Sequence, residues 1–97
     1  MGGNSDLERF YSGDEAWADF ANVFKGELNQ CKFRDDLVKI MGDDEQLAEV
    51  VYASVGDISM TWVCESIPAL SGLSPVQCIQ SPRTIQRLRE MLMRMPR

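Results

Sequence analysis

The first periodic pattern in the chain is aromatic and has the spacing of one helix face. Large apolar residues recur at offsets 0, 3, 7 and 11, as Trp17, Phe20, Phe24 and Leu28. Residues with this spacing lie on the same side of an α-helix. Ser12 precedes Glu15 by three residues, which is the arrangement of a capping box at a helix start. The pattern therefore predicts a first helix that is capped by Ser12, reaches Leu28 and buries its aromatic face.

Two further helical patterns follow, and each is ended by a glycine. The second has apolar residues at offsets 0, 4, 7 and 8, namely Phe33, Leu37, Ile40 and Met41. It ends at Gly42, because glycine readily takes the left-handed conformation that terminates helices. The third begins at Asp43, with Gln46 three residues later, and ends at Gly56. Its core-facing positions are Leu47, Val50, Val51, Ser54 and Val55.

A fourth, shorter helix is predicted before the first proline of the chain. Asp57 is its expected cap, and it ends near Ser66 because the residue before Pro68 avoids helical geometry. Its large apolar residues are Ile58, Met60, Trp62 and Val63. We expect both tryptophans of the chain to lie in the core, since large aromatic side chains dominate burial in small domains.

Two Ser-Pro pairs predict the last two helices. In Ser74-Pro75 and in Ser81-Pro82, a capping hydroxyl precedes a proline at the first helical position, where the missing N–H costs nothing. The fold class is therefore all-α, a compact bundle of five or six short helices. Its predicted shared core consists of Trp62, Leu70, Ile79, Ile85, Leu88 and Leu92.

Composition supports a single globular domain. The 97 residues are 44% hydrophobic and 26% charged, which suits one core and no more. No apolar run is long enough to cross a bilayer, the N-terminus lacks a signal sequence, and Asp6 breaks the myristoylation pattern. Three widely spaced cysteines predict neither a disulfide framework nor a zinc site. We expect a cytoplasmic protein.

The absence of histidine removes the usual means of catalysis. No His base, Ser-His-Asp triad or His-ligated zinc site is possible, and no glycine-rich phosphate loop is present. The acidic run Asp43 to Glu45 lies at a predicted helix start, where carboxylates favour the dipole, so it is interpreted as capping. We therefore expect no enzymatic activity, no cofactor and no metal.

The net charge of −5 hides a polarised distribution. Up to residue 80 there are 5 basic and 14 acidic residues, whereas residues 81–97 contain five Arg and one Glu. At about 100° per residue, the last helix places one charged stripe opposite its apolar face. The stripe comprises Arg83, Arg87, Glu90, Arg94 and Arg97. It is either a solvated face that complements the helix dipole or a surface that contacts a partner. Met93 lies away from the apolar face and is the methionine expected at an interface.

The segment from Trp62 to Ile79 resembles the toxin-binding domain of MbcA/ParS/Xre-type antitoxins. In that family a Trp is followed by a pattern like Pro-Ala-Leu-Gly-Gly-x-Thr-Pro-Leu-x-x-Leu and a closing helix. The matching residues are Trp62, Pro68, Ala69, Leu70, Gly72, Pro75 and Ile79, with Ser71 for the first Gly and Ser74 for the Thr. The resemblance covers about residues 41–97. Residues 1–40 are then an N-terminal helical extension without a clear DNA-binding motif, packed with 41–97 as a single domain.

The resemblance implies a function. It implies an antitoxin of a toxin-antitoxin system, a homodimer that neutralises a partner toxin by occluding its active site. The toxin would be of the RES type, which consumes NAD. The residues assigned to partner binding are Arg87, Met93, Arg94 and Arg97. Two alternatives stay open: a DNA-binding transcriptional regulator, which the acidic balance of residues 1–80 disfavours, and a stand-alone dimerisation or adaptor module.

Overall fold

A computed structural model describes residues 11–95 of the chain. The α-helices are α1 (Asp14–Asn22), α2 (Arg34–Ile40), α3 (Glu45–Val55), α4 (Ser59–Trp62), α5 (Pro75–Cys78) and α6 (Pro82–Arg94). Short 3-10 turns lie between them at Glu27–Gln30, Gly56–Ile58 and Pro68–Leu70. Residues 11–95 contain no β-strand. The prediction of a compact all-α bundle is confirmed.

The first helix is shorter than its aromatic pattern predicts. α1 ends at Asn22, and the chain tightens into turns before Gly26, which has a φ of 99°. Leu28 enters the core from the following 3-10 turn, because Gly26 reverses the chain direction there. The predicted cap is also wrong. The helix begins after Gly13, and no side chain caps it.

The caps of the third and fourth helices differ from the prediction as well. Asp44, not Asp43, caps α3, and its carboxylate accepts the backbone N–H of Leu47 at 3.0 Å. Asp43 cannot do so because it has a left-handed φ of 63°. Asp57 caps nothing, because the Gly56–Ile58 turn leads directly into α4. α4 itself ends at Trp62, four residues before the predicted end.

One apolar core contains residues from both halves of the chain. Helix α3 is its centre, since it packs against α1, α2, α4 and α6. The largest fully buried side chains include Trp17, Leu28, Leu37, Met41, Leu47, Leu70, Leu88 and Leu92. The predicted core is correct for Leu70, Leu88 and Leu92. Three other predicted members are only partly buried and pack against the core, namely Trp62, Ile79 and Ile85.

The helices are short and carry many polar residues. None of the helices in residues 11–95 is both long and apolar enough to cross a bilayer. The longest, α6, has only 13 residues, and four of them are arginines.

The difference in burial between the two tryptophans predicts different costs of removing them. Trp17 is 1% exposed, whereas Trp62 is partly buried. Trp17→Ala should lower the free energy of unfolding by about 3–5 kcal/mol, because it leaves a large cavity. Trp62→Ala should cost about 1–2 kcal/mol. Urea unfolding followed by circular dichroism measures both, and equal losses would contradict this assignment of the core.

Candidate functional site

The segment that resembles the antitoxin family forms a compact turn between α4 and α5. Pro68 begins the 3-10 turn, and Leu70 at its end is fully buried beneath it. Ser71 and Gly72 follow with left-handed φ values of 59° and 81°. Glycine takes this conformation at little cost, whereas a residue with a side chain takes it rarely. The chain thus places two left-handed residues in succession, the first of which carries a hydroxymethyl group.

Main-chain hydrogen bonds hold this turn closed. The N–H of Gly72 donates to the carbonyl of Ile67 at 3.1 Å, and the N–H of Ile67 donates to the carbonyl of Leu73 at 3.0 Å. Further along, the N–H of Val76 donates to the carbonyl of Val63 at 3.0 Å, which joins α5 to the end of α4. These hydrogen bonds pair backbone groups across the turn and hold its shape from within the chain.

Both Ser-Pro pairs cap helices as predicted. The backbone N–H of Gln77 donates to the Ser74 hydroxyl oxygen at 3.2 Å, and the Gln77 side-chain oxygen accepts the N–H of Ser74 at 2.8 Å. This reciprocal pair is a capping box at the start of α5. At the start of α6, the Ser81 hydroxyl accepts the N–H of Thr84 at 3.3 Å.

Arg87 lies inside the protein rather than on a solvated stripe. It is 7% exposed, and its Nη1 donates a hydrogen bond to the Ser71 hydroxyl at 3.1 Å. The expectation that this arginine projects away from the core is therefore wrong. Helical periodicity assigned Arg87 to the correct face of α6, but the turn at residue 71 lies over that face. Arg87 links α6 to the left-handed turn.

Glu90 and Arg94 form a second partly buried pair on the same face. Glu90 is 5% exposed, and its Oε2 accepts a hydrogen bond from Nε of Arg94 at 2.7 Å. The other oxygen of Glu90, Oε1, is buried without a hydrogen-bond partner among residues 11–95. The side chain of Arg94 is 52% exposed. One end of α6 therefore presents an arginine whose orientation is set by a buried carboxylate.

The other two predicted partner-binding residues have different outcomes. Met93 is partly buried and packs against the core, so only part of its side chain is open to a partner. Arg97 lies outside the described residues, and its role stays a prediction. Of the four predicted residues, Arg94 and Met93 are neighbours on the exposed end of α6, whereas Arg87 is held inside.

Sequence reasoning missed Arg89, which contacts residues of α1 and of the segment before α3. Nη1 of Arg89 lies 3.3 Å from the Asp14 carboxylate, and Nη2 lies 3.7 Å from that of Asp44. Its guanidinium carbon lies 5.5 Å from the centre of the Trp17 ring, a cation–π contact. The only signal in the sequence was that Arg89 falls outside the charged stripe and beside the apolar face. Its partners are far away in the chain, so no local pattern names them.

The remaining candidates for chemistry are the potential metal ligands and the three cysteines. Within residues 11–95, no group of three or more Cys, Asp or Glu side chains comes together to hold a metal ion. Burial raises the pKa of the Cys78 thiol to about 11. The positive charge of nearby Arg87 lowers this pKa, but its effect is smaller than that of burial. Cys31 is also buried, whereas Cys64 is exposed.

The fold and these contacts define a small all-α protein whose closing helix is held to a preformed turn. No protein-family model, no curated protein and no solved structure matches the chain.

Substitution of Ser71 tests the left-handed turn. Ser71→Gly loses the hydrogen bond from Arg87 but relieves the left-handed strain, so its free energy of unfolding should stay close to that of the unchanged protein. Ser71→Ala loses the bond and keeps the strain, and it should be about 1 kcal/mol less stable than the glycine variant. Urea unfolding of the two variants gives the difference directly. Equal stability would show that residue 71 is not left-handed.

Thiol reactivity tests the burial of the cysteines. At pH 8 a thiol whose pKa is about 11 is ionised in only about one molecule in a thousand, and the thiolate is the reactive form. A disulfide reagent such as Ellman's reagent should therefore label Cys64 rapidly in the native protein and Cys78 only on unfolding. Cys64→Ser should abolish the rapid phase. A rapid phase that persists in this variant would contradict the assignment.

Proposed function

We propose that the chain is an antitoxin-type protein-binding module that neutralises a partner toxin by occluding the toxin's active site. It performs no catalysis itself and acts as a homodimer in the cytoplasm. The partner, by the family resemblance, is a RES-type toxin that consumes NAD. Binding of this kind needs complementary shape and charge but no reactive group, which suits a chain without histidine.

The observation that supports this proposal most is the backbone at residues 71 and 72. The family pattern has two glycines in succession after Pro-Ala-Leu, and here both positions have positive φ. Left-handed geometry is the physical reason for glycine at such positions. This chain follows the pattern in its backbone even at Ser71, where its sequence departs from it. Leu70 beneath the turn and the capping box at Ser74 agree with the same pattern.

Within this proposal, the structure supports different roles for the residues of α6. Arg94 and Met93 form the contact surface, because they lie at the exposed end of the helix and Glu90 orients the guanidinium of Arg94. Oriented arginines are common at the centres of interfaces. Arg87 is a positioning residue, since it joins α6 to the turn through Ser71. Arg97 is expected to extend the contact beyond the described residues.

The alternative of a DNA-binding regulator is not favoured by any contact seen here. DNA binding requires arginines that are available to phosphate. Arg87 is buried, and Arg89 pairs with Asp14 and Asp44. Two arginines of the C-terminal segment are thus engaged within the protein and not available to phosphate. No contact within residues 11–95 favours the dimerisation or adaptor module either.

Co-expression with the product of the adjacent gene tests the proposal. If that product inhibits growth, the full-length chain should restore growth and bind it. Arg94→Gln keeps an amide donor for Glu90 but removes the guanidinium, and it should weaken binding at least about tenfold. Arg83→Gln is the matched control, because Arg83 lies on the same helix about three turns away, and it should bind within about twofold of the unchanged chain.

Thermal unfolding of each variant excludes loss of the fold as the cause. Truncation after Arg89 is unsuitable, since it would also remove the core residues Met91 and Leu92. Failure of the full-length chain to bind the toxic neighbour would overturn the antitoxin proposal. Equal rescue by Arg94→Gln and by the unchanged chain would remove the end of α6 from the mechanism.

A further inference from the structure

A polar cavity of about 440 Å³ opens between the C-terminal end of α1 and one face of α3. Its volume lies within the range of small-molecule sites in proteins. Charged and amide side chains line it, including Lys25, Asn29, Arg34, Glu45, Gln46 and Glu49.

Gln46 is fixed in one orientation at this cavity. Its side-chain oxygen accepts a hydrogen bond from the indole Nε1–H of Trp17 at 2.8 Å. Trp17 is 1% exposed, so the donor is itself immobile. With its oxygen occupied, Gln46 has its amide N–H groups left to offer to a ligand, and these are donors suited to a carboxylate.

Glu49 is fixed in the same way, three residues along the same face of α3. Its Oε2 accepts the backbone N–H of Gly26 at 2.8 Å and that of Leu28 at 3.4 Å. Its other oxygen, Oε1, has no hydrogen-bond partner among the described residues. A carboxylate held by two main-chain donors keeps its position, and Oε1 is available to a cationic ligand group.

One positively charged side chain at the cavity, Lys25, forms no ion pair with the described residues. Arg34 pairs with Glu45, so these two lining residues neutralise each other. The ammonium group of Lys25 makes no ion pair with residues 11–95. The cavity therefore offers one available anion at Glu49 and one available cation at Lys25, with amide donors beside them.

We propose that this cavity binds a free α-amino acid. The ligand's ammonium group binds Oε1 of Glu49, and its carboxylate binds Lys25 and the amide of Gln46. A zwitterion matches this pair because it presents both charges on one small molecule. Two of the three groups, Gln46 and Glu49, are already immobilised, so little side-chain entropy is lost when the ligand binds. The proposal is independent of the antitoxin function.

Nuclear magnetic resonance of the full chain provides the test. Each of the twenty L-amino acids is titrated into ¹⁵N-labelled protein. We expect one or a few to shift the Trp17 indole and the Gly26 and Leu28 amide signals saturably, with a Kd of about 1 mM or tighter. The Trp62 indole lies in α4 and does not line the cavity, so its signal should stay in place. No saturable shift for any amino acid, or equal shifts of the two indoles, would overturn the proposal.

Ligand and protein variants test the two charges separately. The N-acetyl derivative of the amino acid that binds lacks the ammonium group, and its methyl ester lacks the carboxylate. Each should bind at least about tenfold more weakly, as should the parent amino acid with Lys25→Met. Lys39→Met is the matched control, because Lys39 lies in α2 and does not line the cavity. Unchanged binding to Lys25→Met, or equal losses in both lysine variants, would overturn the assignment of Lys25.

Discussion

The guanidinium group of Arg89 connects three parts of the structure. From α6 it contacts the ring of Trp17 and the carboxylate of Asp14 on α1, and the carboxylate of Asp44 before α3. Asp44 uses its other oxygen to cap α3. The cap of the central helix and the position of the N-terminal helix therefore depend on the same cation.

These contacts of Arg89 differ in strength. The side chain of Asp14 is 84% exposed, so its ion pair is weakened by solvent and contributes little. Asp44 is 29% exposed and Trp17 is buried, so these two contacts carry more of the interaction. The Nε atom of Arg89 is buried without a partner among the described residues, which offsets part of the gain.

Local rules predicted the parts of this protein that depend on local physics. The Ser-Pro starts of α5 and α6, the left-handed Gly72 and the buried Leu70 each follow from the nature of one or two adjacent residues. The sequence predicted helix caps less accurately. Asp43 and Asp44 are neighbouring carboxylates that could each cap α3, and the backbone conformation decides which of them does. Trp17 and Leu28, the two ends of the aromatic pattern, are both buried although α1 ends between them. The 3-10 turn after Gly26 places Leu28 in the core.

What the sequence could not predict is which surface covers each helix face. Arg87 and Glu90 were assigned to the face opposite the apolar one, and periodicity contains no information about the turn that lies over Arg87. The cavity beside α3 also depends on contacts between residues that are distant in the sequence. Gln46 and Glu49 share a face by spacing, but their fixed orientations come from Trp17 and Gly26, which are 29 and 23 residues away.

The separation of Arg89 from Asp14 also affects the order in which the chain assembles during synthesis. These partners are 75 residues apart, so α1 leaves the ribosome long before α6 exists. At about 5–20 residues per second, roughly 4–15 s pass between the synthesis of the two residues. During that interval the ring of Trp17 lacks its contact with Arg89. The N-terminal helix is made early but reaches its final environment only when the last helix arrives.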